Sequence, residues 1–253
     1  MTTDPRAATV AAFADALLSA RRSHTLVVPP GTLPDAAAAY AVQEATFAAL
    51  GPHGAWKVGA RSRDAEPSAA PIPQACILAP EAPLTGPAWQ LRGVEVECGV
   101  RLGRDLGADA AGRPAAELLA AVDAVVPVVE IVETRWQDWR AVAPLALLAD
   151  LGSHGGLIIG APLPPTAERL DLRQAAARLQ FGDELIADTR GAHSAPDLGW
   201  LLGWLAGHAA ARGRPLRAGD VVTTGSLTGM PFSPAGTVVR AELAGAAPIQ
   251  FRF

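Results

Sequence analysis

Two stretches at the start of the chain repeat apolar side chains at helical spacing. Val10, Phe13, Leu17 and Leu18 mark the first, from about Pro5 to Arg22. Tyr40, Phe47 and Leu50 mark the second, from Pro34 to Leu50. Pro34 suits a first helical turn, and Gly51-Pro52 is a stop. Leu26 to Gly31 reads as the connector between them. After Gly54 the texture changes. Trp56 to Ala60 predicts a strand, whereas Arg61 to Gln74, rich in Pro, Ala and Ser, predicts a loop. Cys76 to Leu78 and Gly93 to Leu102 read as short strands, and a helix over Pro114 to Val125 is expected to run into an apolar strand, Val126 to Val132. Leu157 to Ile159 is a further strand, and Leu170 to Phe181 begins as a strand or a helix. Ala195 to Arg212 is the clearest later helix, ending at Gly213; Val221 to Thr223, Thr237 to Leu243 and Pro248 to Phe253 are strands. Helices lead and strands follow without regular βαβ alternation, which predicts an α+β fold. The expected division is a helical segment, residues 1–55, and a β-rich part, residues 56–253, built as one structural unit.

Composition narrows the class. Of 253 residues, half are hydrophobic and 18% charged, enough apolar surface for a packed core rather than disorder. A formal charge of −4 and the lack of a basic–aromatic stripe argue against a nucleic-acid partner. Cys76 and Cys98 have neither metal-type nor redox-type spacing. No apolar run reaches membrane-spanning length, and Met1 to Pro5 lacks the basic start of a secretory signal, so a cytoplasmic protein without a membrane partner is expected.

The cations are lopsided. Lys57 is the only lysine, against twenty arginines, and it lies in Ala55-Trp56-Lys57-Val58-Gly59. A lysine ammonium is a compact charge whose pKa falls readily on desolvation, whereas guanidinium keeps its proton. One lysine kept against that bias is a candidate for chemistry that arginine cannot perform.

Acidic residues supply the second candidate. Strand alternation in Val94-Glu95-Val96-Glu97-Cys98-Gly99-Val100 puts Glu95 and Glu97 on one face, their bases roughly 7 Å apart. Glu130 sits inside the apolar run Val125 to Val132, where a carboxylate is costly unless paired or ligated. Three such carboxylates suit a hard divalent ion, Mg²⁺ or Mn²⁺, more than zinc. The five histidines are scattered and are taken as non-ligands. Downstream, Val221 to Gly229 runs from a strand into a Gly/Ser/Thr-rich turn that can cradle an oxyanion; Ser153-His154-Gly155-Gly156 is a weaker segment of the same kind. Neither a G-x-S-x-G elbow nor a dinucleotide G-x-G-x-x-G after a strand is present.

Taken together, Ala39-Tyr40-Ala41-Val42-Gln43, Trp56-Lys57-Val58-Gly59, Val94-Glu95-Val96-Glu97, Gly103-Arg104-Asp105-Leu106, Pro127 to Val132 with Asp138-Trp139, Ala149-Asp150 and Gly219 to Gly229 resemble, in that order, the 2-keto-4-pentenoate hydratase / 4-oxalocrotonate decarboxylase family of the fumarylacetoacetate-hydrolase-like superfamily. The resemblance implies a mixed β-sheet roll with N-terminal helices. It makes Glu95, Glu97 and Glu130 ligands of Mg²⁺ or Mn²⁺, Lys57 the active-site lysine, and Thr224, Gly225 and Ser226 the turn that meets a substrate carboxylate. Ser153 joins the substrate-binding candidates. The implied activity is a lyase of hydratase type on a small 2-oxo or 2-hydroxydienoic acid, in aromatic catabolism. The alternatives are decarboxylation, keto–enol isomerisation, or an impaired oxo-acid-binding paralogue that partners a true enzyme. A homo-oligomer, and a complex with a related pathway enzyme, are further implications. Two positions depart from the family pattern: its acidic Pro-Asp-Phe-Gly-like segment is matched here by Pro73-Gln74-Ala75-Cys76, and its Asp-Asn pair by Asp150-Leu151. Gln74 is therefore the expected, non-acidic companion of Lys57.

Overall fold

A computed structural model describes residues 4–81 and 83–253. Two helices lead, α1 (Pro5–Ser23) and α2 (Ala36–Ala48). Asp35 caps α2 by accepting the Ala38 N–H at 2.8 Å, and Arg6 of α1 pairs with the same carboxylate. Four strands follow: β1 (His53–Gly59), β2 (Ser68–Pro73), β3 (Ile77–Leu78) and β4 (Gly93–Leu102). Next come α3 (Ala115–Leu119), β5 (Val122–Val132), α4 (Pro144–Ala149), β6 (His154–Ile159) and α5 (Ala167–Leu170). The remainder is β7 (Ala176–Phe181), β8 (Glu184–Arg190), α6 (Leu198–Ala211), β9 (Val221–Thr223), β10 (Val238–Leu243) and β11 (Ile249–Arg252).

These strands form a seven-stranded sheet in the order β2-β1-β9-β4-β5-β6-β3 and a four-stranded sheet, β11-β10-β7-β8. The larger sheet is mixed: β1·β9 and β3·β6 run parallel, and its other pairs antiparallel. The expected α+β roll with leading helices is the architecture found. The main core lies between the two sheets and α6, with Val96, Val100, Leu179, Leu201, Val239 and Phe251 among its members. A second core joins α1 and α2 to α4 and the segment after β5 through Phe13 and Leu17 of α1, Val42 of α2, Trp136, and Ala146 and Ala149 of α4. Trp136 meets Phe13 edge-on at 5.8 Å and donates its indole N–H to the Ala146 carbonyl at 2.9 Å. Helices α1 and α2 therefore bury apolar side chains against Trp136 and α4, distant in the sequence.

Several boundaries differ from expectation. Residues 68–73, read as loop, form β2. Its Pro71 and Pro73 disguise it, yet β2 is the outermost strand, where a missing N–H costs no ladder bond. The helix expected over 114–125 stops at Leu119, and the β-branched run enters β5 at Val122. Strand β8, largely exposed at the edge of the small sheet, lacks the alternation that marks a strand, its apolar residues Leu185, Ile186 and Ala187 standing together between polar ones. Helix α6 begins at Leu198 because Asp197 caps it, accepting the Trp200 N–H at 2.9 Å.

Candidate active site

Four neighbouring strands deliver the candidate residues to one face of the larger sheet. Antiparallel register sets Glu95 of β4 directly opposite Glu130 of β5, with Glu97 two residues further along β4. Lys57 of β1 stands beside Thr223 of β9. In a flat sheet the backbones of β1 and β5, three strands apart, would be roughly 14 Å from one another. The Lys57 ammonium nonetheless bonds Glu130 Oε1 directly. Curling of the sheet closes that distance.

One oxygen from each of Glu95, Glu97 and Glu130 falls in a group whose members all lie within 4.8 Å of one another. Glu97 is held by the Thr223 hydroxyl and by the Gly225 N–H at 2.8 Å. Gly225 has φ near +111°, a backbone shape that lets its N–H turn back toward β4. Glu130 is fully buried; its Oε1 receives Lys57 and lies 3.0 Å from His154 Nδ1, while its Oε2 is buried without a hydrogen-bond partner among the described residues. A second bond, 3.2 Å to the Gly152 carbonyl, fixes the lysine. Leu151, Gly152 and Ser153 all take positive φ, and this left-handed turn at the end of α4 aims that carbonyl at the ammonium. Two of the three lysine N–H groups are thus engaged, and the partly exposed side chain keeps a third for a ligand.

The electrostatics follow from the crowding. Burial first, then Glu130 and Glu97, pushes Glu95 up to about 8. Burial and Glu130 push Glu97 up to about 7 against the pull of Thr223, Lys57 and Gly225. Burial would raise Glu130 as well, but Lys57 and His154 hold it down at about 2. For Lys57 burial works downward, and the three carboxylates outweigh it, so its pKa lies above the ordinary value. The desolvation-driven drop anticipated for this lysine is overruled: here it is a firmly held cation. Without further positive charge, Glu95 keeps its proton near neutrality and Glu97 is only partly ionised there. A set of hard oxygen donors with an unpartnered buried oxygen fits a divalent metal ion.

The remaining expected residues divide. Ser153 is buried beside the lysine turn, and its hydroxyl accepts the Trp139 indole N–H at 3.1 Å. In the turn after β9, Gly225 spends its N–H on Glu97, Thr224 donates its hydroxyl to the Cys98 carbonyl at 2.6 Å, and Ser226 to the Gly229 carbonyl at 2.7 Å. As found, this turn braces Glu97 rather than offering those donors outward. Gln74 is not brought to the carboxylates. It is exposed, its N–H bonds the Pro52 carbonyl, and it flanks the start of β1 while Lys57 lies opposite Ala70. Asp150 is likewise structural: buried, it takes Arg135 Nε at 2.6 Å and Arg21 at 3.2 Å. Sequence reasoning missed Thr223, the Gly152 carbonyl and His154. For His154 a signal did exist, since its segment was already singled out for its glycines.

The sheet thus brings a lysine beside three convergent carboxylates, a donor set that could hold a divalent cation. Residues 47–253 match the family described as Fumarylacetoacetate (FAA) hydrolase C-terminal, and the chain belongs to that family. Curated relatives include 2-keto-4-pentenoate hydratase 1 of Dechloromonas aromatica (strain RCB), 35% identical over 137 residues covering 53% of this chain and 49% of that one. The 2-keto-4-pentenoate hydratase of Paraburkholderia xenovorans (strain LB400) is 34% identical over 164 residues, 63% of this chain and 58% of that one. The chain spans about half the length of the curated relatives it matches. Among solved structures, 4-oxalocrotonate decarboxylase from Pseudomonas putida G7, complexed with magnesium and adipate, superposes with a TM-score of 0.80 over all of both chains at 22% identity, a likeness of fold. Among the described residues no helix is long and apolar enough to cross a membrane.

Proposed function

We propose that the chain is a metal-dependent lyase of hydratase type acting on a small 2-oxo or 2-hydroxydienoic acid such as 2-hydroxypenta-2,4-dienoate. The observation that carries this reading is a partly exposed, charged lysine set against three convergent carboxylates, one of which keeps a buried oxygen with no hydrogen-bond partner among the described residues. Glu95, Glu97 and Glu130 would hold Mg²⁺ or Mn²⁺, which supplies Lewis-acid stabilisation of an enolate. The chain's own part starts with Lys57. Its third N–H is available to a substrate carboxylate or C2 oxygen, and its ammonium stabilises negative charge as it develops there. Because the carboxylates keep its proton on, Lys57 acts as an electrostatic partner or proton donor rather than a free base. Trp139 and the Leu151–Ser153 turn fix the wall against which the substrate lies, with Ser153 as a substrate contact. The turn Thr224–Ser226 fixes Glu97, and contacts a substrate carboxylate only if its donors are released.

One observation favours a second reading. Gln74, the residue that the resemblance sets in place of the family's acid, lies exposed away from Lys57, so the activation of water has no dedicated side chain there. Decarboxylation of a 4-oxalocrotonate-type acid, or keto–enol isomerisation, needs the same enolate and no such group. Cytoplasmic residence, a homo-oligomer and association with a related pathway enzyme belong to the same reading. The test is incubation with 2-hydroxypenta-2,4-dienoate and with 4-oxalocrotonate in Mg²⁺ or Mn²⁺, following dienol absorbance, CO₂ release and products by NMR. A hydroxyketone supports hydration, and CO₂ release supports the second reading. Unchanged substrates with bound metal leave only an oxo-acid binder, and unchanged substrates without metal binding refute both.

A further inference from the structure

We infer that His154 is a positioning residue for the carboxylate centre: it fixes Glu130 so that Oε1 is occupied by protein donors and Oε2 alone faces the cation. The inference rests on the metal-site reading above and deepens it. His154 is fully buried, and its Nδ1 lies 3.0 Å from Glu130 Oε1, the oxygen that also receives Lys57. Glu130 Oε2 is buried without a partner among the described residues, as is His154 Nε2. Those two vacant atoms decide the tautomer. A hydrogen on Nε2 would be a buried donor with no acceptor and would set the Nδ1 lone pair against a carboxylate oxygen. A hydrogen on Nδ1 gives Glu130 a donor, sets no lone pair against its carboxylate, and leaves only the Nε2 lone pair unpaired. Nδ1–H therefore donates to Oε1.

Backbone geometry shows that this placement is built in. Strand β6 pairs with β5 through Ile131↔Gly156 and then Val132↔His154, skipping Gly155. The bulge turns His154 onto the face of Val132 and Glu130; in unbroken register Gly155 would pair with Val132 and the imidazole would point to the opposite side. Only glycine fits the skipped position, because a Cβ there would come within 2.6 Å of Glu133 Cβ and 2.9 Å of the Ile131 carbonyl oxygen. With two donors on Oε1, the carboxylate cannot rotate to offer the cation both oxygens. An imidazole N–H set against a carboxylate that binds metal does what outer-shell partners generally do, orienting the ligand and tuning its charge.

The experiment is titration of the full chain with Mn²⁺ by calorimetry in wild type, H154A and H154N, with ¹⁵N NMR of the histidines in the metal-free wild type. Asparagine can place an N–H where Nδ1 stood. The expected result is a weakening of about 10–100-fold in H154A, recovery to within about threefold of wild type in H154N, and an Nδ1–H tautomer for His154. Equal affinity in H154A and wild type overturns the inference, as does an H154N variant no tighter than H154A. Should both variants misfold, an Nε2–H tautomer in the wild type overturns it and the Nδ1–H tautomer supports it. A wild type that binds no Mn²⁺ removes the metal-site reading itself, a result distinct from a wild type that binds while H154A is unchanged.

Discussion

Replacing Glu95 by glutamine separates the two consequences of crowding three carboxylates. Unlike Glu97 and Glu130, Glu95 is not tied to a protein donor among the described residues, so the amide loses a charge and little else. Two carboxylates about 4.8 Å apart repel by about 3 kcal/mol at an effective dielectric of 20. Glu95 faces two such neighbours and one lysine, leaving a net penalty of that order when it is ionised. Its folded pKa is raised from 4.5 to about 8, by burial first and then by Glu130 and Glu97. The unfolded chain therefore loses this proton near 4.5 and the folded chain keeps it to about 8, so wild-type stability falls across that window. Metal-free E95Q should match wild type in acid and exceed it above pH 8 by roughly 1–3 kcal/mol, or roughly 2–6 °C in Tm for a chain of this size. Mg²⁺ at a hundredfold its Kd should stabilise wild type by about 2.7 kcal/mol, roughly 5 °C, and E95Q far less. Calorimetric melts at about pH 5 and about pH 9, with and without Mg²⁺, read both effects. An apo E95Q less stable than wild type at the higher pH would refute the electrostatic argument. An undiminished Mg²⁺ shift would refute Glu95 as a ligand.

Three further outcomes are expected. Lys57→Met should lower kcat by about 10²–10⁴-fold while Mg²⁺ affinity by calorimetry stays the same or rises, since a competing cation has gone; a variant that turns over normally would remove Lys57 from the chemistry. Gly155→Ala should destabilise the protein by roughly 1–3 kcal/mol in urea melts, because its Cβ has nowhere to go between Glu133 and the Ile131 carbonyl; a neutral result would mean the bulge is slack. Asp35, held below its ordinary 3.8 by the Ala38 N–H and Arg6, should contribute stability above that value that is lost as pH falls through its folded pKa. The Tm difference between wild type and Asp35→Ala should thus be present at neutral pH and vanish in acid, and a gap persisting in acid would contradict the cap.

The chemistry-bearing residues were legible because each stood out in its local pattern. Lys57 broke the arginine bias, Glu130 interrupted an apolar strand, and Glu95 with Glu97 obeyed a period of two that set them on one face. What surrounds them left no such mark. Thr223 is an ordinary strand residue, and Gly152 contributes a carbonyl that every residue has. Gln74 shows the converse, since its place in the sequence suggested company with Lys57 that the pairing of β1 with β2 does not provide.

By itself, then, the sequence determined most of the elements, edge strands β2 and β8 apart, and which side chains are too costly to bury alone, because strand periodicity, caps and desolvation are local properties. It did not determine which of those side chains meet. That depended on the strand order β1-β9-β4-β5-β6, on the curl that brings Lys57 to Glu130, and on a single bulge that turns His154 inward. The same assembly reversed the expected shift of the lysine. Burial alone lowers an ammonium, and only three carboxylates gathered from two strands could raise it.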